Sequence, residues 1–100
     1  MYNVGDLSTI TGFEWDKWNS SKIFEKHRIT TIEAEEPFED ENQLVLEDIK
    51  HSQKEIRFNL IGKTTLNKVL FLTFTLRDTK VRIISARRAN TKERKIYEKI

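Results

Sequence analysis

An apolar strand pattern that carries three arginines runs through Val81-Arg82-Ile83-Ile84-Ser85-Ala86-Arg87-Arg88. One residue later, the segment Asn90-Thr91-Lys92-Glu93-Arg94-Lys95-Ile96-Tyr97 adds further cations, a hydroxyl group and a tyrosine. Like charges repel and charged side chains resist burial, so a purely structural strand gains little from these arginines. We therefore expect an anion to compensate them, and a phosphate backbone is the leading candidate.

The length and composition predict one soluble domain. A chain of 100 residues can build a single modest core, so we expect one domain over residues 1–100, with residues 1–10 as an N-terminal extension. The absence of cysteine excludes a disulfide framework and a thiolate metal site. No apolar stretch approaches the length of a membrane span, and the N-terminus lacks the basic and apolar regions of a signal peptide. We expect a cytoplasmic protein with no membrane partner.

The net charge of +2 conceals a strong asymmetry between the two halves of the chain. Residues 1–50 hold 5 Lys and Arg against 12 Asp and Glu, a balance of −7. Residues 51–100 hold 13 Lys and Arg against 4 Asp and Glu, a balance of +9. This split indicates an anion-binding surface in the C-terminal half. The simpler interpretation is that the two halves neutralise each other when the chain folds.

Caps, turns and apolar periodicity predict an α+β domain. Asp16 is a plausible N-cap for a helix over residues 17–27, and Thr30 with Glu33 forms a capping box for a short helix that Pro37 ends. Strands are predicted over residues 11–15, 44–48, 55–61, 69–77 and 80–87, with a tight hairpin at 77–80. Asn90 and Glu93 cap a final helix. We expect an antiparallel sheet with two N-terminal helices packed on one face, plus a C-terminal helix.

Alternation along the strands predicts one apolar and one polar face of the sheet. The apolar face collects Ile56, Phe58, Leu60, Leu70, Leu72, Phe74 and Leu76, and the polar face collects Glu55, Arg57, Asn59, Thr73, Thr75 and Arg77. In the last strand we expect Ser85 and Arg87 on the polar face, because Ile84 and Ala86 suit the core better.

A set of motifs spread over residues 13–98 resembles the BrnT toxin family. The motifs are Phe13-Glu14-Trp15-Asp16, Lys26-His27, Ala34, Phe38, Asp48, His51, Glu55, Arg57, Ile61-Gly62, Arg82-Ile83-Ile84-Ser85-Ala86-Arg87, Glu93 and Tyr97. The chain departs from the family pattern where the usual Lys-His-Gly reads Lys26-His27-Arg28, and where Pro37 replaces a helical aliphatic residue.

The resemblance implies a RelE-like α+β fold and an endoribonuclease that needs no metal and blocks translation and growth. It implies neutralisation by an antitoxin, BrnA, which also binds operator DNA. A toxin dimer, or a heterotetramer of toxin and antitoxin, is implied in the same way. No cofactor is expected.

RNA cleavage without a metal needs a base, an acid and cations that stabilise the negative charge on phosphorus. The candidate catalytic residues are His51, Glu55 and Tyr97 for proton transfer and Arg57 and Arg87 for binding phosphate. Further candidates for RNA or phosphate binding are Arg77, Arg82, Ser85, Arg88, Lys26 and His27.

Simpler roles compete with these assignments. Arg87 can pair with an acidic residue of the first half, and Arg57 can pair with Glu55 or Asp48. A loop residue such as His51 is often an ordinary surface histidine. His27, at a helix C-terminus, can act there as a cation.

The two tryptophans, Trp15 and Trp18, also have alternative interpretations. The tryptophans can stack on bases, but in a small domain they are more often core anchors, Trp15 in particular.

The function of the protein has two alternatives to the ribonuclease. One is a non-catalytic nucleic-acid-binding module that uses the same basic face. The other is an inactive family member that acts as an interaction protein.

Overall fold

The computed structural model describes residues 9–51 and 54–99. Most of the expected N-terminal extension, residues 1–8, lies outside the described residues. The strands are β1 (Gly12–Glu14), β2 (Leu44–Glu47), β3 (Arg57–Lys63), β4 (Val69–Arg77) and β5 (Lys80–Arg88). The helices are α1 (Lys17–His27), α2 (Thr31–Glu35) and α3 (Thr91–Glu98), with 3₁₀ turns at Glu36–Glu39 and Ile49–His51. No helix in this part of the chain has the length and apolar character needed to cross a membrane.

The five strands form one mixed sheet in the order β1-β5-β4-β3-β2. Strands β2 to β5 pair antiparallel, as predicted, but β1 pairs with β5 in parallel. The expectation of a wholly antiparallel sheet is therefore wrong at this edge. The Thr11 amide donates to the carbonyl of Thr79, which places the start of β1 beside the start of β5. The α+β class is confirmed.

The two faces of the sheet carry two apolar clusters. The larger one is built from Ile23, Ile29, Ala34, Val45, Phe58, Leu60, Leu70, Leu72, Phe74, Val81, Ile83 and Ala86. It includes Ile23 of α1 and Ala34 of α2. The smaller one joins Tyr97 of α3 to Leu44 and Ile61. Because neighbouring strand residues such as Leu60 and Ile61 point to opposite faces, α3 lies on the other side of the sheet from α1 and α2.

A β-bulge in β5 changes which of its residues face the core. Thr73 pairs with Ser85 and the next residue, Phe74, pairs with Ile83, so Ile84 is the additional residue. Because of this shift, Val81, Ile83 and Ala86 are all fully buried. The prediction for Ile84 is wrong: it is half-buried and lies on the same side as Ser85 and Arg87.

The predicted helix caps are confirmed. The Asp16 carboxylate accepts a hydrogen bond from the Asn19 amide, and Thr30 and Asn90 each form a complete capping box with the glutamate three residues later. Helix α1 ends at His27, and the next residue, Arg28, adopts a left-handed conformation with φ of 57°. Only glycine enters this region without steric cost, and glycine is the residue that the family resemblance implies at this position.

Gly62 of β3 lets the 3₁₀ turn at Glu36–Glu39 approach the sheet. A Cβ atom at Gly62 would lie 3.0 Å from both the Cβ atom and the carbonyl oxygen of Pro37, which is tighter than ordinary contact. Pro37 is buried and its ring is rigid, so neither atom can move aside easily.

The Asp40 carboxylate ties α3 to the loop that precedes β2. It accepts the phenol hydrogen of Tyr97 at 2.5 Å and the backbone amides of Lys63 at 2.8 Å and Asn42 at 3.0 Å. Burial by itself raises the pKa of Asp40, but these hydrogen bonds and the charge of Lys63 bring the net pKa below its usual value. Burial, together with Asp40, raises the pKa of Tyr97, so its phenol remains protonated.

Replacing Gly62 by alanine is expected to lower the free energy of unfolding by about 1–3 kcal/mol, because the new methyl group collides with Pro37. Chemical denaturation would measure the change. Gly12→Ala is the matched control, since a Cβ atom there meets nothing within 4 Å. Equal effects of the two substitutions would contradict the steric argument.

Arg28→Gly is expected to raise the free energy of unfolding by about 1 kcal/mol, because it removes the left-handed strain at the end of α1. Thermal unfolding at low protein concentration would measure it. Arg28→Ala removes the same charge, and the same contact with the Phe24 ring, but keeps a Cβ atom. A stabilisation by Ala as large as that by Gly would assign the effect to charge instead of conformation.

Tyr97→Phe is expected to destabilise the protein by about 1 kcal/mol at neutral pH, because Asp40 loses a hydrogen bond. A carboxylate whose pKa is lowered by folding stabilises the protein above its unfolded pKa, and this contribution is lost as the pH falls through its folded pKa. The variant should therefore lose less stability than the wild type between about pH 5 and pH 2. Melting temperatures across that range would reveal a difference, and parallel curves would argue against the contribution of Tyr97 to the acid dependence.

Candidate active site

An open groove lies on the polar face of the sheet, between the turn at Ile49–His51 and strand β5. We call it the sheet groove, and its lining residues are Asp48, His51, Arg57, Asn59, Phe71, Thr73, Ile84, Ser85 and Arg87. A second cavity, the His51 cavity, is lined by Lys50, His51, Lys54, Glu55 and Arg57. Because His51 and Arg57 line both, the two cavities adjoin.

The His51 imidazole is oriented by Asp48. Its Nδ1 atom lies 2.9 Å from Oδ2 of Asp48, and the His51 amide donates to the Asp48 carbonyl at 3.2 Å. The Asp48 amide in turn donates to the carbonyl of Arg57 at 2.7 Å, which fixes the turn to the start of β3. The His51 side chain is 59% exposed, whereas Asp48 is largely covered. The ring is therefore held from one side and accessible from the other.

Glu55 and Arg57 lie on the side of the groove toward the His51 cavity. Strand β3 begins at Arg57, two residues later than predicted, so Glu55 belongs to the bend before it. Their side chains still meet, with Arg57 Nη2 4.0 Å from Glu55 Oε1. Ile56 was expected in the core but is exposed, because it precedes the first strand pair of β3, Arg57 with Thr75.

Arg87 lies on the β5 side of the sheet groove and is held by Glu93 of α3. Two parallel hydrogen bonds of 2.8 Å join the guanidinium to the carboxylate, and Nη1 also donates to the carbonyl of Arg88. The guanidinium lies 4.5 Å above the centre of the Phe71 ring. The hydrogen bonds between the two side chains raise the pKa of Arg87 and lower that of Glu93. The expected ion pair exists, but its acid comes from the second half of the chain.

Arg87 nevertheless remains able to bind an anion. Its side chain is 38% exposed, and it lines the groove. A guanidinium has five N–H donors, and Glu93 and the Arg88 carbonyl take three of them. The other two have no hydrogen-bond partner among residues 9–51 and 54–99. A phosphate oxygen can accept from them without breaking the pair with Glu93.

The remaining predicted arginines lie outside the sheet groove. Arg77 lies 3.7 Å from Glu14, and Arg82 donates to Asp16 at 3.2 Å. Both partners belong to the acidic first half, so the interpretation of charge neutralisation between the halves holds for these two residues. Arg88 is exposed at the end of β5. Ser85 is exposed within the groove, next to Arg87.

Lys26 and His27 end α1. Burial is the main cause that lowers the pKa of His27, and the charges of Lys26 and Arg87 add to it. This direction favours the neutral imidazole over the cation expected at the helix C-terminus. Lys26 lines a shallow hollow on the outer side of α1.

Tyr97 lies apart from the groove, because its buried phenol is bonded to Asp40. The indole of Trp15 donates to Glu35 at 2.7 Å, and its ring packs against the larger apolar cluster, as expected for a core anchor.

The residue patterns did not identify the residues that support the groove. The sequence patterns assign no role to Phe71, yet its ring is the surface on which Arg87 lies. The alternation with Thr73 places this aromatic residue on the polar face, and that is the signal that points to it. Thr73 donates to Asn59 at 2.9 Å across β3 and β4, and these residues form the floor. The spacing of three residues between Asp48 and His51 indicates a contact only once the turn is known.

In the described part of the chain, no three His, Cys, Asp or Glu side chains come together in a way that could hold a metal ion. The polar residues of the groove are hydrogen-bond donors and acceptors, and two of them are arginines. Such a set can bind a phosphate and move a proton.

Comparison with known proteins identifies the family. No curated protein matches the chain significantly. The model of the ribonuclease toxin BrnT of type II toxin–antitoxin systems matches residues 15–93, which includes the described elements from α1 to β5 and every residue that lines the sheet groove. The chain therefore belongs to the BrnT family of ribonuclease toxins of type II toxin–antitoxin systems.

Proposed function

We propose that this member of the family is an endoribonuclease that cleaves RNA in the sheet groove without a metal ion. The observation that carries the proposal is the groove itself, in which the Asp48–His51 pair, Arg57 and Arg87 line one open space. These residues offer a base and two cations, which are two of the three needs of attack by a ribose hydroxyl on its own phosphate.

The proposed reaction begins with the 2′-hydroxyl of the ribose. Its oxygen attacks the neighbouring phosphorus, the bond from phosphorus to the 5′-oxygen breaks, and a proton passes to that oxygen. A carboxylate only accepts hydrogen bonds, so the hydrogen between Asp48 and His51 belongs to Nδ1, and the proposed base is the ring without a hydrogen on Nε2. Nε2 of His51 then has a free lone pair and can accept the proton of the 2′-hydroxyl.

The two arginines would stabilise the phosphate as negative charge accumulates on it. Arg57 reaches the phosphate from the His51 side, and Arg87 reaches it from β5. The contact with Phe71 and the bonds to Glu93 hold Arg87 in place before the substrate arrives. We assign the second proton transfer to the carboxylic acid form of Glu55, which lines the His51 cavity, and the binding of flanking phosphates to Ser85 and Arg88. For Tyr97 the bond to Asp40 favours a structural role.

Membership in the family implies an RNA target and an antitoxin partner. We propose that the partner is a BrnA-like protein and that it neutralises the toxin by covering the sheet groove, which is open in the isolated chain. Cleavage of cytoplasmic RNA would then block translation and growth when the antitoxin is absent. A dimer, or a heterotetramer with the antitoxin, is the assembly we propose.

Incubation of the purified protein with total RNA in excess EDTA tests the activity. The wild type should cleave RNA, and His51→Ala should reduce the rate by about 100-fold or more, because the base is lost. Arg57→Gln should cost about 100-fold through the loss of phosphate stabilisation. Arg77→Gln is the matched control, because it removes an exposed arginine outside the groove, and its rate should stay close to wild type.

Three outcomes would contradict parts of the proposal. Binding of RNA that weakens steeply with salt, with no cleavage by any protein, would favour the non-catalytic binding module. Cleavage that EDTA abolishes would rule out the metal-independent mechanism. A wild type that neither cleaves nor binds RNA, but co-purifies with an antitoxin, would favour the inactive interaction protein.

A further inference from the structure

Trp18 is a large aromatic side chain on the outer side of α1, and it is 77% exposed. Trp15 shows the contrasting case, since its indole is bonded to Glu35 and packs against the apolar cluster. The part of the chain that the structure describes does not cover the Trp18 ring. A single exposed apolar residue needs no explanation by itself, so the case for a binding surface depends on the side chains around the ring.

Two lysines accompany this ring. The shallow hollow on the outer side of α1 is lined by Trp18, Ser21, Lys22, Glu25 and Lys26. Positions 18, 22 and 26 follow one another at four-residue spacing, so they share one stripe of the helix. Two ammonium groups against one carboxylate give the hollow a positive balance, which favours an anionic ligand that also has a flat aromatic surface. We call Trp18, Lys22 and Lys26 the Trp18 patch.

Helix α1 packs on the face of the sheet opposite to the groove, but it runs beside the edge of β5 that β1 leaves open beyond Arg82, so a strand that leaves the groove would reach it by crossing this edge. Arg82 bonds to Asp16 at the start of the helix, and the Asn19 side chain donates to the carbonyl of Ile83. At the other end, the charge of Arg87 influences His27. The helix and β5 therefore run in the same direction, from Asp16 beside Arg82 to His27 near Arg87. Nine residues of helix separate Trp18 from His27, a distance of about 13 Å.

We propose that the Trp18 patch is an accessory binding site for single-stranded RNA outside the groove. One unpaired base would stack on the indole of Trp18, and Lys22 and Lys26 would contact the phosphates that lead toward β5. The proposal rests on the proposed function, because it takes the RNA in the groove as the strand that continues along α1. It adds a subsite that governs affinity and leaves the chemical step unchanged.

The observations favour RNA over an acidic protein segment. Stacking of a base uses the open ring face, and the phosphates match lysines at regular spacing along the path to Arg87. An acidic segment would also satisfy the lysines, but it offers no planar partner for the ring. Binding of the antitoxin to this patch is therefore an outcome of the test and not the proposal.

The test measures the affinity for a fluorescently labelled 2′-O-methyl oligoribonucleotide, which has no free 2′-hydroxyl and so cannot be cleaved. Trp18→Ala should weaken binding by about tenfold, because a base loses its stacking partner. Trp18→Phe keeps an aromatic face and should restore most of the affinity. Ile32→Ala is the matched control, because Ile32 is 69% exposed on the acidic helix α2, and its affinity should equal that of the wild type.

Salt dependence and cleavage provide two further measurements. Lys22→Gln combined with Lys26→Gln should lower the slope of log affinity against log salt by about 1.4, or about 0.7 for each phosphate that the protein no longer neutralises. At saturating RNA, the single-turnover cleavage rate of Trp18→Ala should equal the wild-type rate. Thermal unfolding of each variant would verify that the fold is retained, as expected for exposed positions.

Wild-type affinity in Trp18→Ala would overturn the accessory site, while RNA cleavage by that variant would leave the proposed function standing. The same affinity together with loss of antitoxin binding would identify the patch as a protein interface. Equal weakening by the Phe and Ala variants would overturn base stacking. A wild type that binds no RNA would overturn the accessory site and the proposed function together.

Discussion

The additional residue in β5 is the constraint on which the site depends. A strand without the bulge would keep strict alternation, and with Val81 and Ile83 in the core it would turn Ser85 and Arg87 to the core as well. The bulge at Ile84 inserts one residue, so the strand buries Val81, Ile83 and Ala86 and still presents Ser85 and Arg87 to the groove. One bulge thus allows the same strand to fill the core with its apolar side chains and to line the groove with its polar ones.

Glu93 combines a structural and a functional contact. Its carboxylate completes the capping box of α3 by accepting from the Asn90 amide, and the same two oxygens bind Arg87. Removal of a partner from such a pair leaves the other charge without compensation. The orientation of Arg87 in the groove is therefore coupled to the start of α3, and α3 is in turn anchored through Tyr97 and Asp40.

Signals between residues close in sequence predicted the helices and strands. Contacts between distant segments of the chain determined the features that the sequence did not reveal. The capping residues Asp16, Thr30 and Asn90 marked three helix starts correctly, since a cap depends on its neighbours along the chain. The parallel pairing of β1, the bulge and the position of α3 all depend on contacts between distant segments. For the site, His51, Glu55, Arg57 and Arg87 were named from residue patterns and from the family resemblance, and the structure brings them to adjoining cavities. The partner of Arg87 and the location of Tyr97 required the fold.

The short parallel strand β1 pairs with β5 only as far as Arg82, which leaves residues 83–88 on that side without a neighbouring strand in the described part of the chain. Free strand edges invite another chain to add to the sheet. Here the side chain of Asn19 occupies the Ile83 carbonyl, and Arg87 and Arg88 add positive charge to the strand. Cations on an edge repel an identical edge from a second molecule. The arginines that suit the strand for an anionic ligand thereby also discourage edge-to-edge aggregation of the free protein.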